Sequence, residues 1–126
     1  MKRRIAAVAL VALLPLGMAA CGAQSKADAC NQLKSAMNES SSALLKVSQD
    51  PTSKDTYITL AEAYEAASKK ITNTEIKPSV DQVAADWRNL ADHADALTSM
   101  DPAKTVEFTQ IAEDLNTHQN ALLATC

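Results

Sequence analysis

Glycine is nearly missing from this chain. Gly17 and Gly22 are the only two, and the aromatic residues number four, Tyr57, Tyr64, Trp87 and Phe108. With no glycine beyond residue 22, there is no Gly-rich loop to bring backbone N–H groups onto a phosphate. No stretch alternates apolar and polar residues over a useful length, so strands are not expected. The three cysteines are too few and too far apart for a C-x-x-C redox pair or a zinc site. The Glu-x-x-His motif of di-iron bundles does not occur. Serines are many, but none stands in a strand-to-helix elbow, and neither histidine has an evident nucleophile beside it. These absences argue against an enzyme. No catalytic residue, metal ligand set or cofactor is expected.

Positive charge is concentrated where it will not stay with the fold. Lys2, Arg3 and Arg4 precede an apolar run over 5–16, which leads through small residues to Cys21, the order of an export signal. Pro15 and Gly17 interrupt the leading segment, and the apolar run falls short of the ~20 residues a membrane-crossing helix needs. After it, Met18-Ala19-Ala20-Cys21 resembles the lipobox of bacterial lipoproteins, an aliphatic residue, a small residue, Ala or Gly, then Cys, with Met in place of the usual Leu. The resemblance implies a diacylglyceryl group on the Cys21 sulfur and cleavage between Ala20 and Cys21. The protein would then be held on the extracytoplasmic face of the cell membrane, because two acyl chains, at ~0.8 kcal/mol per buried methylene, anchor where one would not. A plain secretory signal cut after Ala20 and an uncleaved anchor are the alternatives. The Ala-rich, Asp- and Thr-rich remainder resembles actinobacterial envelope proteins in style.

Removing Lys2, Arg3 and Arg4 changes 12 basic residues to 9 against 15 acidic ones, a balance of −6. So acidic a domain is a poor match for nucleic acid, and it lacks a basic patch for anionic lipid headgroups. The mature length makes one domain, near the lower end of what a single core supports unaided. A covalent link would help. In an oxidising compartment Cys30 and Cys126 are expected to pair, closing almost the whole domain into a loop; two free thiols or an intermolecular bridge are the other outcomes.

The rest of the chain reads as four amphipathic helices. Residues 21–25 are expected to be the lipidated cysteine and a short tether, and 26–126 the folded bundle. Ser25 and Asp28 suggest a capping box, followed by a stripe at Cys30, Leu33, Met37, Ser40, Leu44 and Val47. Asp50-Pro51 looks like a cap and first turn, opening a second stripe at Tyr57, Leu60, Tyr64, Ala67 and Ile71. Pro78, with Ser79 and Gln82 as a second possible box, opens a third at Val80, Val83, Trp87, Leu90, Ala94 and Leu97. Asp101-Pro102 opens the fourth, at Phe108, Ile111, Leu115, His118 and Leu122. A weak repeat at an offset of 51 matches Ser48, Asp50, Pro51, Ala61 and Glu62 to Ser99, Asp101, Pro102, Ala112 and Glu113.

Four helices with short connections point to an all-α, antiparallel up-down-up-down four-helix bundle. That topology brings residues 30 and 126 to one end, within the ~7 Å a disulfide demands. Antiparallel stacking gives mixed layers: Leu33, Ala67, Val83 and His118; Met37, Tyr64, Trp87 and Leu115; Ser40, Leu60, Leu90 and Ile111; Leu44, Tyr57, Ala94 and Phe108. His118 stands out as a polar residue on an apolar stripe. It is expected to be satisfied by a neighbour such as Ser68, and is the one candidate ligand residue. Asp92, His93 and Asp95 cluster, but consecutive helix positions do not converge on a metal, and Asp92 is placed to pair with Arg88 four residues earlier. The leading functional expectation is an anchored binding or accessory module for another cell-envelope protein. A small-molecule carrier or sensor with a site between the helices, near Ser40, Ala67, Ala94 and His118, is the alternative, and a structural spacer the third. A carrier calls for an apolar pocket with converging polar groups, an adaptor for a filled core and an exposed patch.

Overall fold

The computed structural model describes residues 24–126; the expected signal segment 1–20 and lipidation site Cys21 lie outside the described residues. Four α-helices follow one another: α1 (Lys26–Gln49), α2 (Lys54–Lys70), α3 (Lys77–Asp92) and α4 (Pro102–Thr125), with a 3-10 turn at Ala94–Leu97 and no strand among the described residues. α2 and α3 pack most intimately, α1 lies on α2 and α4 on α3. With connections this short the helices alternate in direction, an up-down-up-down bundle.

The helix ends explain where each element starts. Ser25 Oγ accepts the Asp28 N–H at 3.1 Å, which is the N-cap half of a capping box; the other contact joins the two side chains, Ser25 Oγ donating to Asp28 Oδ2 at 2.7 Å. Asp101 Oδ1 accepts the Ala103 N–H at 2.9 Å, with Pro102 in the first turn. Asp50 behaves differently. Its carboxylate takes the N–H and hydroxyl of Thr52 at 3.0 and 2.6 Å, closing a turn, and α2 begins only after Ser53. The 51-residue repeat is therefore not kept in local structure.

The expected Ser79–Gln82 box does not form. Asn73 fills that role from further back, its Oδ1 accepting the N–H groups of Glu75 and Ile76 at 3.0 and 3.1 Å. α3 also stops sooner than its stripe implies. The His93 ring Nδ1 meets the Asn89 carbonyl at 2.8 Å, and the chain tightens so that Ala96 N–H bonds to the His93 carbonyl, leaving Ala94 and Leu97 on the 3-10 turn.

Gln24, in the segment expected to be a tether, is bonded to the fold. Gln24 Oε1 accepts the Thr72 N–H at 2.9 Å, and the Gln24 carbonyl accepts Asn73 Nδ2 at 3.0 Å, so the fold already holds residue 24.

Leu33, Leu60, Ile71, Ile76, Val80 and Val83 are almost wholly buried. The layer of Ser40, Leu60, Leu90 and Ile111 is buried as expected. Tyr57 stacks on Trp87 and meets Phe108 edge-on, each with ring centres 6.2 Å apart. The layer of Leu44, Tyr57, Ala94 and Phe108 fails at its α1 corner, where Leu44 is 39 % exposed. The reason lies in small residues. α1 turns Ala29, Leu33, Ala36, Ser40 and Ala43 inward, and alanines let it approach α2 closely. That rotation swings Met37 and Leu44 toward α4, and α4 does not pack closely along α1. What joins the two is covalent: Cys30 and Cys126 form a disulfide with Cα atoms 5.5 Å apart.

Candidate functional site

His118, the candidate ligand residue, sits on α4 against α3. Its Nδ1 lies 2.6 Å from Asp86 Oδ2, and Gln82 Nε2 donates to Asp86 Oδ1 at 3.0 Å. The Asp86 side chain is 10 % exposed and that of His118 40 %. A carboxylate this deep is tolerated because both oxygens have partners. The imidazole is thus held by one nitrogen from below. His118 also borders a hollow of about 190 Å³ lined by Pro78, Ser79, Gln82 and Ala121.

Ser68, expected beside His118, is elsewhere. Its hydroxyl donates to Asp81 and accepts from Lys77 Nζ at 2.6 Å, while Lys77 also reaches the Ser68 carbonyl at 3.0 Å. A Ser–Lys contact is an arrangement that can activate a nucleophile. Here Ser68 is 4 % exposed and its bonds are internal, so no substrate reaches it.

Asp92, His93 and Asp95 each face a different partner, and the expected Asp92–Arg88 pair does not form. Arg88 pairs with Glu65 across the α2–α3 interface at 2.7 Å rather than with Asp92; Asp92 faces Lys54 at 3.6 Å, His93 faces Glu107 at 3.4 Å, and Asp95 meets Lys104 at 2.9 Å. The Lys104 hydrogen bond holds the Asp95 carboxyl below its ordinary range. No group of three potential metal ligands converges among the described residues.

Two further surfaces were not marked by any sequence motif. At the end of the bundle away from residue 24 and the disulfide, the α3–α4 connection exposes Leu97, Met100 and Val106, at 37, 101 and 69 %. Beside them Lys54, Asp92, Asp95 and Thr98 line a hollow of about 500 Å³. Along the α1–α4 seam, Met37, Leu44, Leu122 and Leu123 border a groove of about 110 Å³ with Tyr64 and Gln119. Burial raises the Tyr64 phenol above its ordinary value, and a hydrogen bond with Gln119 offsets part of that.

The four positions expected around a ligand cavity do not share one. Ser40 and Ala67 are packed at 4 % exposure, Ala94 lines the end hollow and His118 its own. Trp87 Nε1 is buried without a hydrogen-bond partner. No helix among the described residues is long and apolar enough to cross a membrane. Comparison of the chain with family models, with curated proteins and with solved structures yields no match.

Proposed function

We propose that this protein is a lipid-anchored, extracytoplasmic accessory module that binds another cell-envelope protein through the end of its bundle farthest from Cys21. One observation carries this reading: Leu97, Met100 and Val106 are exposed together about a connection whose polar neighbours are largely paired. Large apolar side chains gathered in the open mark interaction sites more often than chance solvent exposure. The filled core beneath them supports an adaptor over a carrier. The lipobox resemblance supports the anchor, and the early hold on Gln24 supports the orientation, since Gly22 and Ala23 alone would separate the lipidated cysteine from the fold.

The test is site-specific photo-crosslinking in intact cells, with the reactive group at position 100 or, as control, at the exposed Lys69 near the opposite end. The expected result is one defined protein adduct from position 100 and none from 69, lost when Cys21→Ser releases the chain from the membrane. Equal labelling from both positions, or no adduct from 100, would remove the distal end from consideration; retention of Cys21→Ser in the membrane would remove the lipid anchor.

A further inference from the structure

The end of the bundle that exposes Leu97, Met100 and Val106 is also rich in acid. Over 46–55 and 91–107, six carboxylates, Asp50, Asp55, Asp92, Asp95, Asp101 and Glu107, stand against three lysines, Lys46, Lys54 and Lys104. The described residues together carry 15 acidic and 9 basic side chains, so these two short stretches hold half of the acidic excess. The end beside residue 24 is balanced the other way, with Lys26, Lys69, Lys70 and Lys77 against Asp28, Glu75 and Asp81. Charge is thus sorted along the bundle, and the exposed apolar side chains sit at the acidic end.

The contacts within that end leave its excess in place. Lys54 and Lys104 are matched by Asp92 and Asp95 at 3.6 and 2.9 Å, and His93 faces Glu107 at 3.4 Å. Asp50 and Asp101 accept from Thr52 and from the Ala103 N–H, which are neutral donors. No ion pair engages Asp50, Asp55 or Asp101 among the described residues. Asp92 is only loosely held, since its 3.6 Å contact is longer than the ~2.7–2.9 Å of a charge-assisted hydrogen bond. It borders the hollow of about 500 Å³ together with Asp95, Thr52 and Thr98. Two acidic residues and two threonines around one hollow suit a cationic side chain.

Charge then selects among the occupants an apolar patch could take. A second copy meeting this one end to end would set three surplus negative charges against three, and an anionic lipid surface would be repelled in the same way. A chain with apolar side chains flanked by lysine or arginine gains on both counts. The apolar centre supplies contact, while the rim steers the approach and rejects partners of the wrong sign. Met100, fully exposed and unbranched, can adapt its shape to such a partner.

We infer that the distal end binds a basic, apolar segment of another protein, which lays its apolar side chains on Leu97, Met100 and Val106 and places a lysine or arginine in the hollow bordered by Asp92 and Asp95. This rests on the distal-end reading above and adds the chemistry of what docks there.

The experiment is photo-crosslinking from position 100 of the full chain, in the cells that make it, in four backgrounds: unchanged, Asp92→Asn with Asp95→Asn, Asp55→Lys, and Lys104→Gln. Neutralising the two carboxylates of the hollow should cut the yield of the protein adduct roughly threefold or more, as the loss of two exposed charge contacts would. Asp55→Lys should act in the same direction. Lys104→Gln, which uncovers Asp95, should raise the yield, a gain that damage to the fold cannot produce. An unchanged melt of each purified variant ties the losses to charge; where a melt falls, Lys104→Gln decides. Sequencing the adduct by mass spectrometry should place position 100 against a peptide whose apolar residues are flanked by lysine or arginine. A protein adduct whose yield ignores these changes or moves the opposite way, or whose crosslinked peptide lacks basic residues, would overturn the basic partner and leave the distal end as the docking site. No adduct from position 100, one of twice the chain mass, or one with lipid would overturn both.

Discussion

At the level of single residues, the most consequential pair is Asp86 and His118. A carboxylate at 10 % exposure is stable in the fold only while its oxygens are hydrogen-bonded, and one of the two depends on the imidazole. His118→Ala should therefore destabilise the protein by ~1–3 kcal/mol, the usual cost of stranding a buried acceptor. The double variant His118→Ala with Asp86→Ala should lose less than the sum of the singles, because removing both partners strands nothing. Chemical denaturation of the four variants checks this, and strict additivity would mean the pair does not act as a unit. His118 was legible in the sequence as a polar residue on an apolar stripe; its partner was not. Asp86 falls three residues after Val83 and four before Leu90, on the flank of another stripe, with Gln82 one turn earlier. Two misplaced polar residues on facing helices are the signal for such a pair, but choosing Asp86 over Ser68 needed the relative rotation of α3 and α4, which periodicity within each helix does not contain.

Among the elements, the two Asp-Pro dipeptides show how far a local rule reaches. Both were readable as helix starts, and one is. After Asp101-Pro102 comes Ala103, whose N–H has no local competitor for the carboxylate, and the helix begins at once. After Asp50-Pro51 come Thr52 and Ser53. Thr52 supplies two donors at short range, so the turn captures the carboxylate and lowers its pKa, chiefly through the Thr52 side chain. Asp101→Ala should cost ~1 kcal/mol, as lost N-caps do, and should increase hydrogen exchange in the first turn of α4. Asp50→Ala should leave the first turn of α2 unchanged, because no side chain caps that helix in the native fold. Exchange measured across both variants distinguishes the roles; equal fraying of α2 and α4 would contradict the assignment. The stripes themselves were sound guides to burial on α2 and α3, the two central helices. They misled on α1, where alanine and serine carry little hydropathy yet take the closest contact, so the true inward face lies one position from the row of larger residues.

Across the whole molecule, chain topology was readable because two independent features demanded it. Short connections favour antiparallel neighbours, and a Cys30–Cys126 pair requires the first and last helices to meet at one end. The structure has both. What the sequence did not reveal is that these helices meet only loosely above that point. α1 is held by α2 and α4 by α3, while their own seam stays open as a groove. The disulfide is thus the main direct tie across the seam, spanning 96 residues. In the chain-entropy description a loop of that size restricts the unfolded state by ~4.7 kcal/mol, a value real bridges often miss. At the ~4–8 °C per kcal/mol of a domain this size, and the ~2–4 kcal/mol that a disulfide typically delivers, Cys126→Ser should lower the melting temperature by about 10–30 °C. It should also release the last turn of α4, where the Cys126 N–H bonds to the Leu122 carbonyl. Exchange should rise there first and leave the buried α2–α3 pair protected, since those helices share the closest interface. An unchanged melt of the oxidised protein would mean that the seam is held by side-chain packing after all. Uniform loss of protection through all four helices would instead mean that the bundle cannot stand without the bond.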